Sequence, residues 1–296
     1  MQQRVEKSIG GFFQNIRQKS PKGCIKGYPI KVKIIMAKSI FLPHGGGPMP
    51  VLGDPLHASL VEFLTGKARE WIGKPSAIVL VTAHWETKNP IISGAAKHSL
   101  LYDYYGFPSE AYKIQYNAPG APTVAEKVHQ LLSKAGFKPE IDTKRGWDHG
   151  VFIPMMLVAP DADIPIVQLS VLQSQDATEL LNMGKALSPL LKENVAIVGS
   201  GFSFHNMHGF FNSTDAIAKG NRAFEEQLLK VAALPPEERV AALTKWKEFS
   251  GAKQCHPVNA TEHFSPLLIT AGAGNELVEQ VKLDVLNVKT SGYVWN

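Results

Sequence analysis

Residues 77–87 read AIVLVTAHWET, and this stretch decides the class of fold. Its first six residues, 77–82, are apolar or β-branched throughout, which predicts a strand that is buried on both faces. Similar runs recur along the chain at Ile40–Leu42, Ile164–Val171 and Val195–Val198. Strands buried on both faces belong to sheets that helices cover on both sides. The sequence therefore predicts an α/β fold with a mostly parallel central sheet flanked by helices.

Helical signals lie between these runs. Thr123-x-x-Glu126 predicts a capping box, in which the threonine and the glutamate satisfy free amides at the start of a helix. The other signals are Asp54-Pro55, Asp176-x-x-Glu179 and the segments 215–232 and 236–249, and a last strand is predicted over about 281–295. No linker rich in Pro, Gly or Ser divides this body, so a single domain is expected over residues 38–296.

The charge of the chain is unevenly distributed. Residues 1–39 carry nine of the 31 Lys and Arg residues but one of the 26 acidic residues, so the remainder has a net charge of −3 although the whole chain is +5. The net charge therefore gives no support for nucleic-acid binding. Residues 1–37 are predicted to form a basic extension, with a mitochondrial address as the alternative to a cytoplasmic location.

Two further classes of protein lose support from composition. No apolar run approaches the roughly 18 residues that a membrane-spanning helix needs. Cys24 and Cys255 are the only cysteines in the sequence, which excludes a cysteine-rich zinc site and argues against a disulfide framework. The first observation makes a soluble protein the expectation, and the second favours a reducing compartment.

Histidines stand where strands are predicted to end. His44 and His84 each follow the last residue of an apolar run by two positions, and His205 follows a third run after a short loop. His149 and His263 lie in turn-like stretches, GWDHG and TEHFSPLL. Since ligands bind beyond the carboxyl ends of strands in open α/β sheets, the five positions favour a shared metal or proton-transfer site there over five independent, hydrogen-bonded histidines.

Other catalytic motifs are incomplete. HGGG at residues 44–47 matches the oxyanion loop of esterases, but the nearest nucleophile elbow, residues 201–205, has His205 where the motif needs glycine. His84-x-Glu86 begins like a zinc deaminase, yet no P-C-x-x-C follows. Gly199-x-Gly201 is only a fragment of a dinucleotide loop, and no P-loop sequence occurs.

Taken in order, the motifs FLPHGGGPMP, VTAHWET, YDYYGFP, WDHGVFIPM, VGSGFSFHN and EHFSPLL resemble those of the class III extradiol ring-cleavage dioxygenases. They are similar in particular to the DOPA 4,5-dioxygenase-like branch, over about residues 40–275. The resemblance implies an enzyme that opens a catechol ring, of DOPA or a related aromatic diol, with O₂. It also implies a non-haem Fe(II) ion, which Zn(II) replaces in some isolated proteins.

The resemblance also implies roles for individual residues. His44, His84 and His263 match metal ligands of the family. His205 matches its acid/base histidine, with a role as a further ligand also open. His149 matches a pocket histidine that faces substrate or oxygen.

The sequence departs from the family pattern near the third ligand. The family has a compact H-P-x-x-E-H stretch, whereas His256-Pro257 is here two residues further from Glu262-His263. We expect His263 to be the ligand because it keeps its spacing to Pro266, while Glu262 and His256 stay open as additional ligands. A zinc hydrolase on the same histidines and a non-enzymatic interaction protein with this fold are the alternatives.

Overall fold

The computed structural model describes residues 36–257 and 261–296. Nearly all of the predicted basic extension, with Cys24 inside it, lies outside the described residues. The extension, its targeting role and the domain boundary at residue 38 therefore stay predictions. Among the described residues, no helix has both the length and the apolar character needed to cross a membrane.

Within these residues, eight strands form one sheet whose centre is parallel. They are β1 (Ser39–Pro43), β2 (Ala77–Thr87), β3 (Ile91–Ser93), β4 (Glu140–Asp142), β5 (Ile166–Leu172), β6 (Val195–Gly201), β7 (Leu277–Val285) and β8 (Val288–Trp295). Their order across the sheet is β4-β3-β5-β2-β6-β1-β8-β7. The neighbours β5, β2, β6 and β1 run parallel, while β3 pairs antiparallel with β5 and β8 pairs antiparallel with β1. The predicted α/β fold is confirmed.

Helices cover both faces of this sheet, which explains why the central strands are apolar throughout. The helices are α1 (Ala58–Thr65), α2 (Lys67–Ile72), α3 (Pro122–Lys134), α4 (His149–Val158), α5 (Ala177–Leu187), α6 (Met207–Phe211), α7 (Asp215–Ala232), α8 (Pro236–Leu243), α9 (Ala252–Cys255) and α10 (Ser265–Ala273). Helices α1, α2 and α4 pack together on one face, and α3, α5 and α10 pack together on the other. Short 3-10 turns, among them Glu262–Phe264, connect several of these elements.

Two of the predicted helix starts have different outcomes. Asp176 caps α5, since its carboxylate accepts a hydrogen bond from the amide of Glu179 at 2.9 Å. The capping box predicted at Thr123 is wrong, because α3 begins one residue earlier at Pro122 and has no side-chain cap. Proline suits that first position, since its φ is already helical and it has no amide proton to satisfy.

The carboxyl-terminal strand is a hairpin rather than a single strand. Strands β7 and β8 pair antiparallel and are joined at Leu286 and Asn287, whose φ angles are 54° and 63°. Two successive residues with positive φ form the kind of tight turn that matches the twist of a hairpin. The sequence gives little sign of the turn, because leucine is an unusual residue there.

Strand β2 extends further than its apolar run. It continues to Thr87, but its pairing with β6 stops at Thr82 and its pairing with β5 shifts between Val81 and Glu86. His84 lies inside this irregular part, where the strand no longer has a regular neighbour on either side. The irregularity directs the histidine away from the sheet ladder and towards the carboxyl edge.

Glycines on β6 allow the segment with His263 to approach the sheet. A Cβ atom on Gly201 would lie 2.2 Å from the carbonyl oxygen of His263, and that oxygen accepts a hydrogen bond from the amide of Phe202 at 2.9 Å. Gly199 is in similar contact with the carbonyl of Pro266, at 2.6 Å from the same kind of Cβ position. The fragment Gly199-x-Gly201 therefore serves close packing between a strand and a helix start.

We expect Gly201→Ala to displace His263 and to weaken metal binding, because its methyl group overlaps the His263 carbonyl. Overpacking of this kind costs about 1–3 kcal/mol of stability. Metal titration and urea unfolding measure the two effects. The control is Gly136→Ala, where φ is 91° and no atom lies within 4 Å, so strain lowers stability without touching the site. Unchanged metal affinity in Gly201→Ala would contradict the prediction.

Candidate metal centre

The register of three parallel strands brings two histidines to one place. Ser200 on β6 is level with Leu42 on β1 and with Thr82 on β2. His44 and His84 each follow this row by two positions, and their rings meet just beyond it, with centroids 4.9 Å apart. The Nε2 atoms of the two histidines lie 3.1 Å apart.

His263 completes a group of three imidazoles. One ring nitrogen from each of His44, His84 and His263 lies within 4.8 Å of the others. The ring centroid of His263 is 5.1 Å from that of His44 and 4.8 Å from that of His84. The predicted ligands therefore converge, from two strand ends and a 3-10 turn that are far apart in sequence.

Ser200 fixes which nitrogen of His44 carries the proton. The Ser200 hydroxyl donates its single proton to the carbonyl oxygen of Gly150 in α4. Its oxygen lies 3.0 Å from Nδ1 of His44 and must accept there, so Nδ1 carries the hydrogen. The Nε2 atom that faces His84 is then bare, which is the form that binds a metal ion.

Glu262 fixes the proton of His263 on Nδ1, as Ser200 does for His44, and it also lies beside His205. Its Oε1 atom accepts a hydrogen bond from Nδ1 of His263 at 2.8 Å and lies 3.3 Å from Nδ1 of His205. The two rings stack, with centroids 3.5 Å apart and planes inclined by 13°. Burial acts to raise the pKa of Glu262, but the hydrogen bond and charge of His205 outweigh it and the pKa is lowered. Glu262 is therefore an ionised acceptor that leaves Nε2 of His263 free.

Asp103 is a second carboxylate of the site and lies beside His149 and His84. It accepts hydrogen bonds from the amide and from Nδ1 of His149, at 2.9 and 2.8 Å, and lies 3.7 Å from Nδ1 of His84. Burial raises the pKa of Asp103, yet the contacts with His149 outweigh it and the pKa is lowered. The ring of His149 lies 3.9 Å from that of His84.

The three converging imidazoles are neutral. Burial and the neighbouring histidines hold the pKa values of His44 and His263 well below 6.5, and burial lowers the pKa of His84 to about 3. The Nε2 atoms of His44 and His84, 3.1 Å apart, are close enough to bind one ion at the usual distance of about 2.1 Å. Neutral imidazoles suit iron, zinc and copper, so the donor set fits a divalent transition metal.

The histidines line a cavity of about 460 Å³. His44, His84, His149, His205 and His263 all contribute to its wall, together with Asp103 and the glycines of residues 45–47. The loop over residues 99–122 contributes Tyr104, Tyr105 and Phe107 to the wall of the cavity. The hydroxyls of Tyr102 and Tyr104 are bound to the carbonyls of Ile114 and Ala111, both at 2.6 Å, so these two tyrosines hold the loop together.

His256 lies apart from this group. Its Nε2 atom donates to the carbonyl of Ser203 at 2.8 Å, and its ring packs against Phe264, Trp246 and Phe224. Among the described residues, the groups able to hold a metal ion do not include it. His205 falls in a group with Glu262 and His263, next to the three converging imidazoles but not one of them.

Three residues near the site were not predicted from sequence. Asp103 lay within the YDYYGFP loop, where it had no obvious partner, and Ser200 lay inside an apolar strand. Asp148 is buried at the start of α4, accepts a hydrogen bond from Thr82 at 2.8 Å and has its pKa raised by that burial. Glu86, of the incomplete deaminase motif, accepts a hydrogen bond from the side-chain amide of Gln175 at 3.3 Å.

The esterase-like elements do not meet. The amide of Gly46 donates to Nε2 of His57 at 2.9 Å, and His57 is held in turn by Asp54 at 2.7 Å. Ser203, the residue at the nucleophile position, is buried and pairs with Thr290 at 2.7 Å. The glycines of residues 45–47 therefore give backbone room at the wall of the cavity rather than an oxyanion hole.

Comparisons with known proteins agree with this geometry. The model of the family described as "Catalytic LigB subunit of aromatic ring-opening dioxygenase" matches residues 47–294. Dioxygenase tasH of Hapsidospora irregularis is 42% identical over 281 residues, and the match covers 88% of this chain and 86% of that protein. The 4,5-DOPA dioxygenase extradiol of Beta vulgaris is 37% identical over 242 residues, covering 81% and 87%. A crystal structure of an uncharacterised Escherichia coli K12 protein superposes with a TM-score of 0.70 at 27% identity, covering 88% of this chain and all of that one.

We expect Ser200→Ala to weaken metal binding by about 10- to 100-fold, because His44 loses the acceptor that orients it. The dissociation constant of Zn(II), measured by competition with a chelating dye, tests this. Ser39→Ala is the matched control, since Ser39 is a buried serine whose hydroxyl donates to the carbonyl of Thr270 at 2.7 Å, outside the site. Equal affinity in the two variants would contradict the role of Ser200.

His44, His84 and His263 should lower the stability of the metal-free protein as the pH falls from about 6.5 to about 4.5. In this range unfolded histidines take up protons, whereas His44, His84 and His263 have lowered pKa values and resist protonation in the folded state. The loss amounts to at most about 1.4 kcal/mol per pH unit for each group. Urea unfolding at several pH values measures the slope.

The matched variants are His84→Gln and His129→Gln. We expect His84→Gln to flatten the slope, because glutamine does not titrate, and His129→Gln to leave it unchanged. A wild-type slope in His84→Gln would refute the assignment. Asp103 and Glu262 titrate below this window, since their pKa values are lowered from those of ordinary carboxyl groups.

Proposed function

The chain belongs to the class III extradiol dioxygenases, the family of the LigB subunit, and from that premise we propose that it opens a catechol ring with O₂ at an Fe(II) ion. Its substrate would be DOPA-like or a related aromatic diol. The ligands in this proposal are His44, His84 and His263. Zn(II) would occupy the same nitrogens in protein isolated without iron.

One observation carries the proposal. Three neutral imidazole nitrogens converge at one end of a cavity, with Nε2 of His44 and His84 only 3.1 Å apart. Bound there, Fe(II) would supply Lewis acidity towards the diol and electron transfer between the diol and O₂. Catalytic metal sites of this kind have about three protein ligands and keep other positions open for reactants.

His205 is the proton carrier in this proposal. It lines the cavity, and its Nδ1 atom lies 3.3 Å from the ionised Glu262. A carboxylate at Nδ1 stabilises the imidazolium that forms when the opposite nitrogen takes a proton from a catechol hydroxyl. The same nitrogen would return the proton to the product as the ring opens. The stacked ring of His263 keeps the imidazole in place.

His149 holds the substrate in this proposal. Because Nδ1 of His149 donates to Asp103 at 2.8 Å, its Nε2 atom is available to accept a hydrogen bond. We assign it to the second hydroxyl of the diol or to bound oxygen. His149 begins α4, whose backbone also accepts the hydrogen bond of Ser200, so a rigid element positions it relative to His44.

The two alternatives have less support. A zinc hydrolase would use the same ligands, but the relatives are named dioxygenases and the esterase-like elements do not meet. A protein that only binds partners would have no use for paired carboxylates that orient four imidazoles.

The proposal is tested by anaerobic reconstitution with Fe(II) or Zn(II), followed by addition of O₂ and a panel of catechols. Oxygen uptake and the absorbance of a yellow ring-opened product are followed together. We expect both signals from the protein loaded with Fe(II) and neither from the protein loaded with Zn(II). The ring-opening proposal would be refuted if no catechol caused oxygen uptake with either metal.

We expect His205→Ala to keep the metal and to slow turnover by about 10²- to 10⁴-fold, because general acid–base catalysis contributes about that much. Metal content is measured by elemental analysis, and turnover by oxygen uptake. His208→Ala is the control, since His208 is an exposed neighbour that does not line the cavity. Full activity of His205→Ala on every catechol that the wild type cleaves would overturn the role.

For the location we propose the cytoplasm, with mitochondria as the alternative given by the basic amino-terminal residues. The buried free thiol of Cys255 is in keeping with a reducing compartment. A carboxyl-terminal fluorescent fusion, with and without residues 1–35, distinguishes the two.

A further inference from the structure

The cavity is larger than the ring that the proposed reaction consumes. A protein cavity of about 150 Å³ is enough to bind benzene. The cavity beside the histidines is about 460 Å³. A diol placed against the histidines therefore leaves most of the volume for whatever is attached to its ring.

The polar and apolar residues of the cavity wall are separated. Imidazoles and Asp103 surround the converging nitrogens. The remaining wall is formed mainly by large apolar side chains, among them Met49, Phe107, Phe202, Phe210 and Leu286. Phe210 is fixed by edge-on contact with the rings of Phe202 and Phe204, at 5.8 and 5.1 Å between centroids. This part of the wall offers burial but few hydrogen bonds.

No fixed positive charge lines the cavity within the part of the chain that the structure describes. Its wall there contains neither lysine nor arginine. The acidic residue of the wall is Asp103, whose Oδ1 atom already accepts two hydrogen bonds from His149. A carboxylate on the substituent, beyond the converging nitrogens, would thus be desolvated with no lysine or arginine of the described wall to offset the cost.

Large apolar side chains also stand exposed at the mouth. Phe211 is 77% exposed and Met207 is 55% exposed, and both lie on α6 and line the same cavity as the histidines. Exposed apolar groups gathered at one opening mark a surface that gains free energy when a ligand covers it. Because Met207 and Phe211 continue the apolar wall of the cavity, we expect them to contact the same ligand that occupies the cavity.

We infer that the substrate is a catechol whose ring carries a bulky, uncharged, apolar substituent. The diol lies against the histidines, and the substituent runs along the phenylalanine wall to Met207 and Phe211. The inference rests on the proposed ring-opening function for the place of the diol. Among the DOPA-like and related diols, it selects those without a carboxylate group, and those without an ammonium group because the apolar wall offers an ammonium few hydrogen-bond acceptors.

Anaerobic calorimetry of the iron-loaded protein tests this inference without turnover. The ligands are 4-hexylcatechol, 4-methylcatechol, 3,4-dihydroxyphenylacetate and dopamine. We expect 4-hexylcatechol to bind at least about tenfold more tightly than either charged ligand, with a gain of up to about fourfold for each added methylene. Its binding should also have the negative heat-capacity change that marks apolar burial.

Charge introduced at the mouth should change the preference. We expect Met207→Lys and Phe211→Arg to raise the affinity for 3,4-dihydroxyphenylacetate by about three- to tenfold and to weaken that for 4-hexylcatechol. Both positions are exposed, so neither change strains the core. Val278→Lys is the matched control, because Val278 is 51% exposed on β7 and does not line the cavity.

The outcomes separate the two proposals. Equal or tighter binding of 3,4-dihydroxyphenylacetate or dopamine by the wild type overturns the inference, whether or not any catechol is cleaved. The inference is also overturned if Met207→Lys and Phe211→Arg bind these ligands as Val278→Lys does. The expected order of affinities without iron-dependent oxygen uptake upholds the chemistry of the cavity and refutes the ring-opening function.

Discussion

The site depends on the register of three parallel strands. Leu42, Ser200 and Thr82 form one row across β1, β6 and β2, and the two ligand histidines of the proposal stand two residues beyond its outer members. Hydrogen bonding between strands fixes this row to within a fraction of a residue spacing, because a slip by one position would reverse every side chain. The middle member, Ser200, then selects the tautomer of His44. This row of the sheet thus sets the positions of His44 and His84, and through Ser200 it leaves Nε2 of His44 without a proton.

Two carboxylates lie near this row, each beside two histidines. Asp103 lies beside His84 and His149, while Glu262 lies beside His205 and His263, and both carboxyl groups have lowered pKa values. Three neutral imidazoles between two ionised carboxylates make a site whose formal charge is equal and opposite to that of a divalent cation. Hydrogen bonds satisfy many of these buried polar groups, and a bound divalent ion would satisfy the bare nitrogens. The phenylalanine wall beyond them has no such groups to satisfy.

Much of this arrangement was predictable from sequence, for a physical reason. Apolar runs such as 77–82 and 195–198 indicate strands buried on both faces, and ligands bind at the carboxyl ends of such strands. The positions of His44, His84 and His205 relative to those runs therefore indicated the site before any geometry was known. Motif order then indicated the family, which the comparisons confirm. The capping box at Thr123 was wrong because a neighbouring proline competes for the same helix start.

The sequence by itself determined the alternation of buried strands and helices, the family and the histidines that gather at one edge, since these follow from local patterns of residue type. Tertiary structure alone decided the roles of Ser200, Asp103 and Glu262, and it placed His256 in an aromatic cluster away from the site. It also set the size and the uncharged lining of the cavity. Most of these features depend on contacts between residues far apart in sequence, such as His44 with Ser200, 156 positions apart, and Asp103 with His149, 46 positions apart. No local pattern specifies such pairs, because they exist only once the strands are in register.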